Sequence, residues 1–168
     1  MQGATHAMSK KMNSRMRAMV GHGAILLAIG LLAGFGLAFT LIGGMEVFPG
    51  TIVPFEVPGD AQAWARTHTG GILNGIMVLV LALTMHTLIV PEKTEAKVYW
   101  MAVGAGYANT LFYWAGMFAG SRALTIGDNP LGATNFFASL GGASALVFAF
   151  LTIVALIYLA THAFRSST

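Results

Sequence analysis

The sequence predicts an all-α integral membrane protein, a four-transmembrane-helix bundle with both termini in the cytoplasm. Three observations carry that reading. Charged residues make up 9% of the 168 and apolar residues 56%, whereas a soluble domain carries about a quarter charged residues. Four stretches, 20–42, 70–90, 98–120 and 136–160, are each long enough to cross a bilayer, which takes about 20 apolar residues. None of the four contains Asp, Glu, Lys or Arg. Finally, Lys10, Lys11, Arg15, Arg17, Lys93, Lys97 and Arg165 lie at the termini or in the link between the second and third stretches, against Arg66 and Arg122 in the other two loops. That bias places the termini and the basic link inside.

The elements follow in order. Residues 1–19 form a basic N-terminal segment. Its first eleven positions read as unstructured, and Met8, Met12, Met16 and Met19 then recur at helical spacing among Lys and Arg. Such a pattern suits a short helix lying on the inner membrane surface. The first span is too long for a secretory h-region and lacks a small-x-small cleavage site, so it is read as a retained helix. The transmembrane domain then covers 20–162, with 163–168 as a tail. The loop 43–67 carries Pro-Gly pairs at 49–50 and 58–59, and a β-prone run at 51–57 broken by Pro54. It reads as a folded outer cap. The link 91–97 is short, so the second and third spans should form an antiparallel hairpin. The last loop, SRALTIGDNPLGATN, carries the turn signal Gly-Asp-Asn-Pro.

Within the spans small residues recur four apart, as in Gly30/Gly34/Ala38, Gly104/Ala108, Gly116/Gly120 and Gly141/Ala145/Ala149. This spacing lets helix backbones approach closely where lipid offers no hydrophobic drive for association. Four spans enclose little interior, so a pocket is expected between subunits of a homo-oligomer. The absence of Cys excludes disulfides, thiolate metal sites and covalent haem attachment.

Polar groups inside the membrane are costly unless paired, which makes each a functional candidate. They are His22, His68, Asn74, His86, Asn109, Tyr113 and His162. Three of the histidines, His22, His86 and His162, fall at the inner level. His68 opens the second span at the outer level, about 27 Å from His86 along a helix rising 1.5 Å per residue. Two metal readings compete: a zinc site of the three inner histidines, or His68 alone as axial ligand to a haem iron. Against both stands the ordinary role of an interfacial histidine as a solvated or capping group. Thr69, Gly70 and Gly71 follow His68 and admit a flat cofactor or another backbone, with Gly71 the expected point of cofactor approach. Asn109 and Tyr113 share a helix face and either address one ligand atom or bond to a neighbouring helix. Asn74 is turned about 120° from His68.

These residues sit in runs with a collective likeness: GHG (21–23), GGMEVFPG (43–50), FEVPGD (55–60), WARTHTGGILNGIMV (64–78), NTLFYW (109–114) and SRALTIGDN (121–129). In this order and spacing the chain resembles the styrene oxide isomerase family of small bacterial membrane enzymes, from about Arg17 to the end of the fourth span. The resemblance implies a homotrimer in the inner (cytoplasmic) membrane with ferric haem b between subunits, His68 as axial iron ligand, and Asn74, Asn109 and Tyr113 on the substrate side. It implies an isomerase that rearranges aryl epoxides such as styrene oxide to aldehydes such as phenylacetaldehyde, as in styrene degradation, without net redox change. Ferric iron would act as a Lewis acid, side-chain donors would support the developing alkoxide, and a 1,2-hydride shift would follow with water kept out. Arg66 would pair with a haem propionate or, as an ordinary loop cation, with a lipid phosphate. Tyr107, Ala108 and Leu111 depart from the family pattern beside that pocket and bear on substrate choice. The alternatives are a related mutase that rearranges hydroxylaminobenzenes, a b-type electron-transfer subunit, and the inner zinc site.

Overall fold

A computed structural model describes residues 12–165. Four long helices, α1 (Ser14–Ile42), α2 (Ala61–Leu88), α3 (Glu92–Gly116) and α4 (Phe136–Arg165), are joined by a small hairpin of β1 (Gly44–Phe48) and β2 (Thr51–Pro54) after α1, by a tight link between α2 and α3, and by a loop before α4. Three of the helices, α1, α2 and α4, are long and apolar enough to cross a membrane. The third of the four, α3, is 25 residues long, about 37 Å at helical rise, but it opens on Glu92, Lys93, Glu95 and Lys97 and carries Asn109 and Thr110. It therefore lacks the apolar character of the others, and it packs against α1, α2 and α4. The protein is a multi-pass membrane protein whose third helix packs between the other three.

Each helix boundary has a local cause. Asn13 Oδ1 accepts the Met16 N–H at 2.9 Å and caps α1, while Gly43, at φ 69, ends it in the left-handed conformation that glycine adopts without a Cβ penalty. Asp60 Oδ1 accepts the Ala63 N–H at 2.6 Å, so α2 starts nine residues before the apolar run begins at Gly70. The cap expected over 43–67 accordingly ends at residue 60, and His68 stands inside a helix already two turns old. Pro91 precedes α3, and Asn135 Oδ1 accepts the Ala138 N–H at the start of α4.

The Met-rich segment differs from expectation over its described part. Ser14–Ile42 is one continuous helix, and Met16 and Met19 are buried in the core rather than lying along a surface. Arg15 explains the alignment: its guanidinium meets the buried Glu95 carboxylate at 2.9 Å, and Asn13 Nδ2 donates to the same group at 2.7 Å. The start of α1 is thereby tied to the start of α3. Residues 1–11 and Met8 lie outside the described residues.

In the cap, β1 and β2 pair antiparallel with Phe48 opposite Thr51 and Pro49-Gly50 in the turn. Glu46 Oε1 accepts the Gly50 N–H at 2.7 Å. Pro54, which has no N–H to donate, is the last residue of β2.

Packing of α1 on α2 dominates the bundle. Here Gly30 and Gly71 face each other so closely that a Cβ on Gly71 would lie 2.6 Å from Gly30 Cα, and one on Gly75 would lie 2.5 Å from Leu27 N. The stripe expected from Gly30/Gly34 is thus a helix crossing, in which Gly30 faces Gly71 of α2 and Gly34 faces His68. Below it Met19, Leu26, Val78, Met85 and Val98 are fully buried. The outward face of α4 exposes Leu146, Val147, Phe150, Ile153 and Ile157, as suits a helix against lipid.

Candidate functional site

His68 is held by a neighbouring backbone. Its Nδ1 lies 2.8 Å from the carbonyl oxygen of Gly30 on α1. A carbonyl can only accept, so in the neutral ring Nδ1 carries the proton and Nε2 keeps its lone pair. This is the arrangement by which a second contact orients a metal-ligating imidazole and raises its basicity. Gly34, one turn along α1, gives the ring its space: a Cβ there would lie 2.8 Å from Cε1 and 2.9 Å from Nδ1.

On the adjacent stripe of α2, Gln62, Ala65, Arg66, Thr69, Gly70 and Leu73 line an open groove of about 430 Å³ that Tyr113 of α3 closes on one side. Successive helix positions are about 100° apart, so His68 does not line this groove: it lies on the neighbouring face of α2, against Gly30 and Gly34 of α1. The Tyr113 ring lies over Gly70, whose missing side chain makes the contact possible. Thr67 donates to Ala63 O at 2.9 Å and reaches Tyr113 O at 3.3 Å, fastening that turn of α3 to α2. The Tyr113 hydroxyl has no hydrogen-bond partner among the described residues. Nearby Trp64 donates to Pro58 O at 2.9 Å and stacks edge-on with Trp114, which locks the α2 start against the end of α3. Arg66 lines the groove, and its Nη1 is buried without a hydrogen-bond partner among the described residues.

The other candidates separate. Asn109, half-buried on the turn of α3 before Tyr113, has no hydrogen bond among the described residues, so its carboxamide is uncommitted. Asn74 is buried on another face of α2 and donates to Thr110 Oγ1 at 3.4 Å, while Thr110 itself donates to Gly106 O at 2.8 Å. That bond joins α2 to α3 and uses one of the four that a carboxamide can form. Gly71 serves the α1–α2 crossing, and the glycine that lines the groove is Gly70.

The inner histidines do not assemble. Among the described residues no three His, Asp or Glu side chains come together as a metal set. His22 Nδ1 lies 3.1 Å from the Tyr107 hydroxyl, with the rings edge to face, and His162 Nε2 lies 3.2 Å from Leu88 O at the end of α2. The three-histidine zinc reading falls on this geometry. Sequence reasoning passed over Gly30 and Gly34 as site residues, because small residues four apart signal packing first; it grouped Gly70 with Gly71 but took Gly71 as the point of approach. It also treated Arg122 only as a loop charge.

A model of the styrene oxide isomerase family matches residues 15–164. The chain is also 37% identical over 150 residues to a styrene-oxide isomerase of Pseudomonas fluorescens, covering 89% of each protein. The match includes all four helices and every residue of the groove. The protein is thus an isomerase belonging to the styrene oxide isomerase family.

Proposed function

We propose that this protein rearranges styrene oxide-type aryl epoxides to aldehydes with the help of a haem b held by His68. The observation that carries the proposal is the His68 imidazole, fixed through Nδ1 on the Gly30 carbonyl with Nε2 left to bind. The surroundings suit the group: Gly34 leaves room beside the His68 ring, and Arg66 offers a buried cationic nitrogen, unpaired among the described residues, to a propionate. When bound, ferric haem supplies a Lewis acid for the epoxide oxygen.

The chain's own residues do the rest. As the benzylic C–O bond breaks, negative charge collects on oxygen and positive charge on the benzylic carbon. Tyr113 has a free phenol to donate to that oxygen, and Asn109 has a free carboxamide one turn away. Donors placed where charge develops are worth more than donors placed on the ground state. Asn74 stands one residue past Leu73 of the groove wall and keeps part of its hydrogen-bonding capacity for the substrate side. Hydride then migrates from the oxygen-bearing carbon to the benzylic carbon, closing the valence of both with no electron gained or lost. Leu73, Phe112 and Ala65 give apolar walls that exclude water, which would otherwise capture the cation as a diol.

The groove is open along one side, and a second copy of the chain would close it. A homotrimer with haem at its subunit interfaces, set in the bacterial inner membrane with both termini cytoplasmic, is the assembly we propose. The basic residues at the ends of α1 and α4 and at the start of α3 support that orientation. An electron-transfer role would call for two axial imidazoles, and His22 and His162 are engaged elsewhere.

His68→Ala tests the reading. The purified variant is expected to lack a Soret band and to convert no styrene oxide, while still assembling as a helical protein. A variant that keeps its haem, or colourless wild-type protein that turns over, overturns it. Offering phenylhydroxylamine beside styrene oxide separates the isomerase from a mutase.

A further inference from the structure

Arg66 accounts for one acidic group only, and haem b carries two. We infer that Arg122, in the loop between α3 and α4, completes with Arg66 a clamp for the paired propionates; this rests on the haem reading above. The two arginines line two clefts together at this end of the bundle, of about 460 Å³ and about 170 Å³. No acidic residue lines the smaller cleft, whose other walls include Phe112, Tyr113 and Leu124. Two like charges facing one partly apolar space repel until an anion enters between them.

The existing partners leave that place open. Arg122 donates to Gln62 Oε1 at 3.0 Å, a neutral group on the rim of the α2 groove. Asp60 borders the larger cleft, but its Oδ1 already accepts the Ala63 N–H. Arg66 Nη1 is buried and has no hydrogen-bond partner among the described residues. A guanidinium matches a carboxylate through two parallel N–H donors, so two arginines fit two propionates.

The backbone directs Arg122 to this place. Arg122 and Ala123 have φ of 56° and 57°, consecutive left-handed residues that are uncommon outside glycine. The turn is pinned by the Arg122 N–H on Ala119 O at 2.9 Å. It sends the guanidinium back towards α2 rather than outward with the loop.

The test uses full-length protein in detergent, loaded either with haem b or with its dimethyl ester, which has no free carboxylates. Loss of each porphyrin to excess apomyoglobin is followed at the Soret band. Arg122→Gln is expected to speed haem b loss about tenfold, the scale of one charge-assisted hydrogen bond, and to leave loss of the ester within about twofold of wild type. Arg122→Lys should recover part of the difference by restoring charge without the fork. Equal rates for Arg122→Gln and wild type, or equal acceleration of both porphyrins, overturn the clamp while leaving His68 as ligand. Wild-type protein that binds neither porphyrin overturns the clamp and the haem reading together.

Discussion

Gly34→Ala is a one-carbon change whose effect follows from the geometry of the His68 imidazole. The new Cβ would lie 2.8 Å from Cε1 and 2.9 Å from Nδ1, where non-bonded carbon contacts settle near 3.5 Å. The ring must therefore retreat by about 0.6 Å. Gly30 O sits on the same helix, so retreat from α1 stretches the Nδ1–Gly30 bond from 2.8 Å to about 3.4 Å, where such a bond is much weakened. Loss of the group that orients a metal-ligating histidine costs about 10- to 100-fold in affinity. The assay is haem content and haem dissociation rate of the purified variant, read at the Soret band. Gly21→Ala supplies the control, because a Cβ at that helical position meets nothing within 4 Å and should raise stability by about 0.5–1 kcal/mol. Unchanged haem affinity in Gly34→Ala would refute the reasoning, and with it the claim that α1 holds the imidazole.

Two further outcomes are expected. Tyr113→Phe removes a hydroxyl with no structural partner, so folding and haem content should hold while the turnover number falls about a hundredfold, the usual cost of one donor at a developing oxyanion; an unchanged rate would make the ring a packing group over Gly70. Glu95→Ala strips the buried carboxylate that Arg15 and Asn13 both address. Arg15 is a third exposed and can turn to water, so the loss should be about 2 kcal/mol rather than the larger penalty of stranding a buried charge. It is read as a lower thermal midpoint, with Glu95→Gln in between because it can still accept from Asn13; a midpoint equal to wild type would mean the latch contributes nothing.

The sequence disclosed the helices well because bilayer-length apolar runs have few other uses. It misplaced their ends where polar residues extend a helix beyond the run. Asp60 caps α2 from outside the apolar stretch, and 91–97 (sequence PEKTEAK) reads as a link although all of it after Pro91 is helix. Hydropathy does not see caps. His68 was legible as a ligand candidate because an imidazole at that depth is rare. Its partner was not, since a backbone carbonyl carries no side-chain signature and Gly30 looks like any packing glycine. Asn74 shows the converse: a carboxamide among apolar residues signals function or a bond between helices with equal force. Only its placement against Thr110 on α3 reveals the second role.

On the proposed reading, the glycines of the α1–α2 crossing would bear on cofactor binding as much as on assembly. A bundle can be packed with alanines, at a slightly larger separation. What alanines at 30, 34 and 71 could not preserve is a carbonyl of one helix within 2.8 Å of an imbedded ring nitrogen of the other. Gly30 and Gly71 set the approach, and Gly34 gives the ring its room. Substitutions along this stripe should therefore separate two properties usually lost together. The small ones, such as Gly34→Ala, should release the imidazole while the buried cluster around Leu26, Val78 and Val98 still holds the helices. Gly30 and Gly71 differ, because even an alanine Cβ there would collide with Ile72 N in the first case or lie 2.6 Å from Gly30 Cα in the second, so substitution at either should part the helices themselves. If haem affinity and thermal stability instead fall in step across that series, the crossing is a scaffold alone and the ligand is positioned by α2.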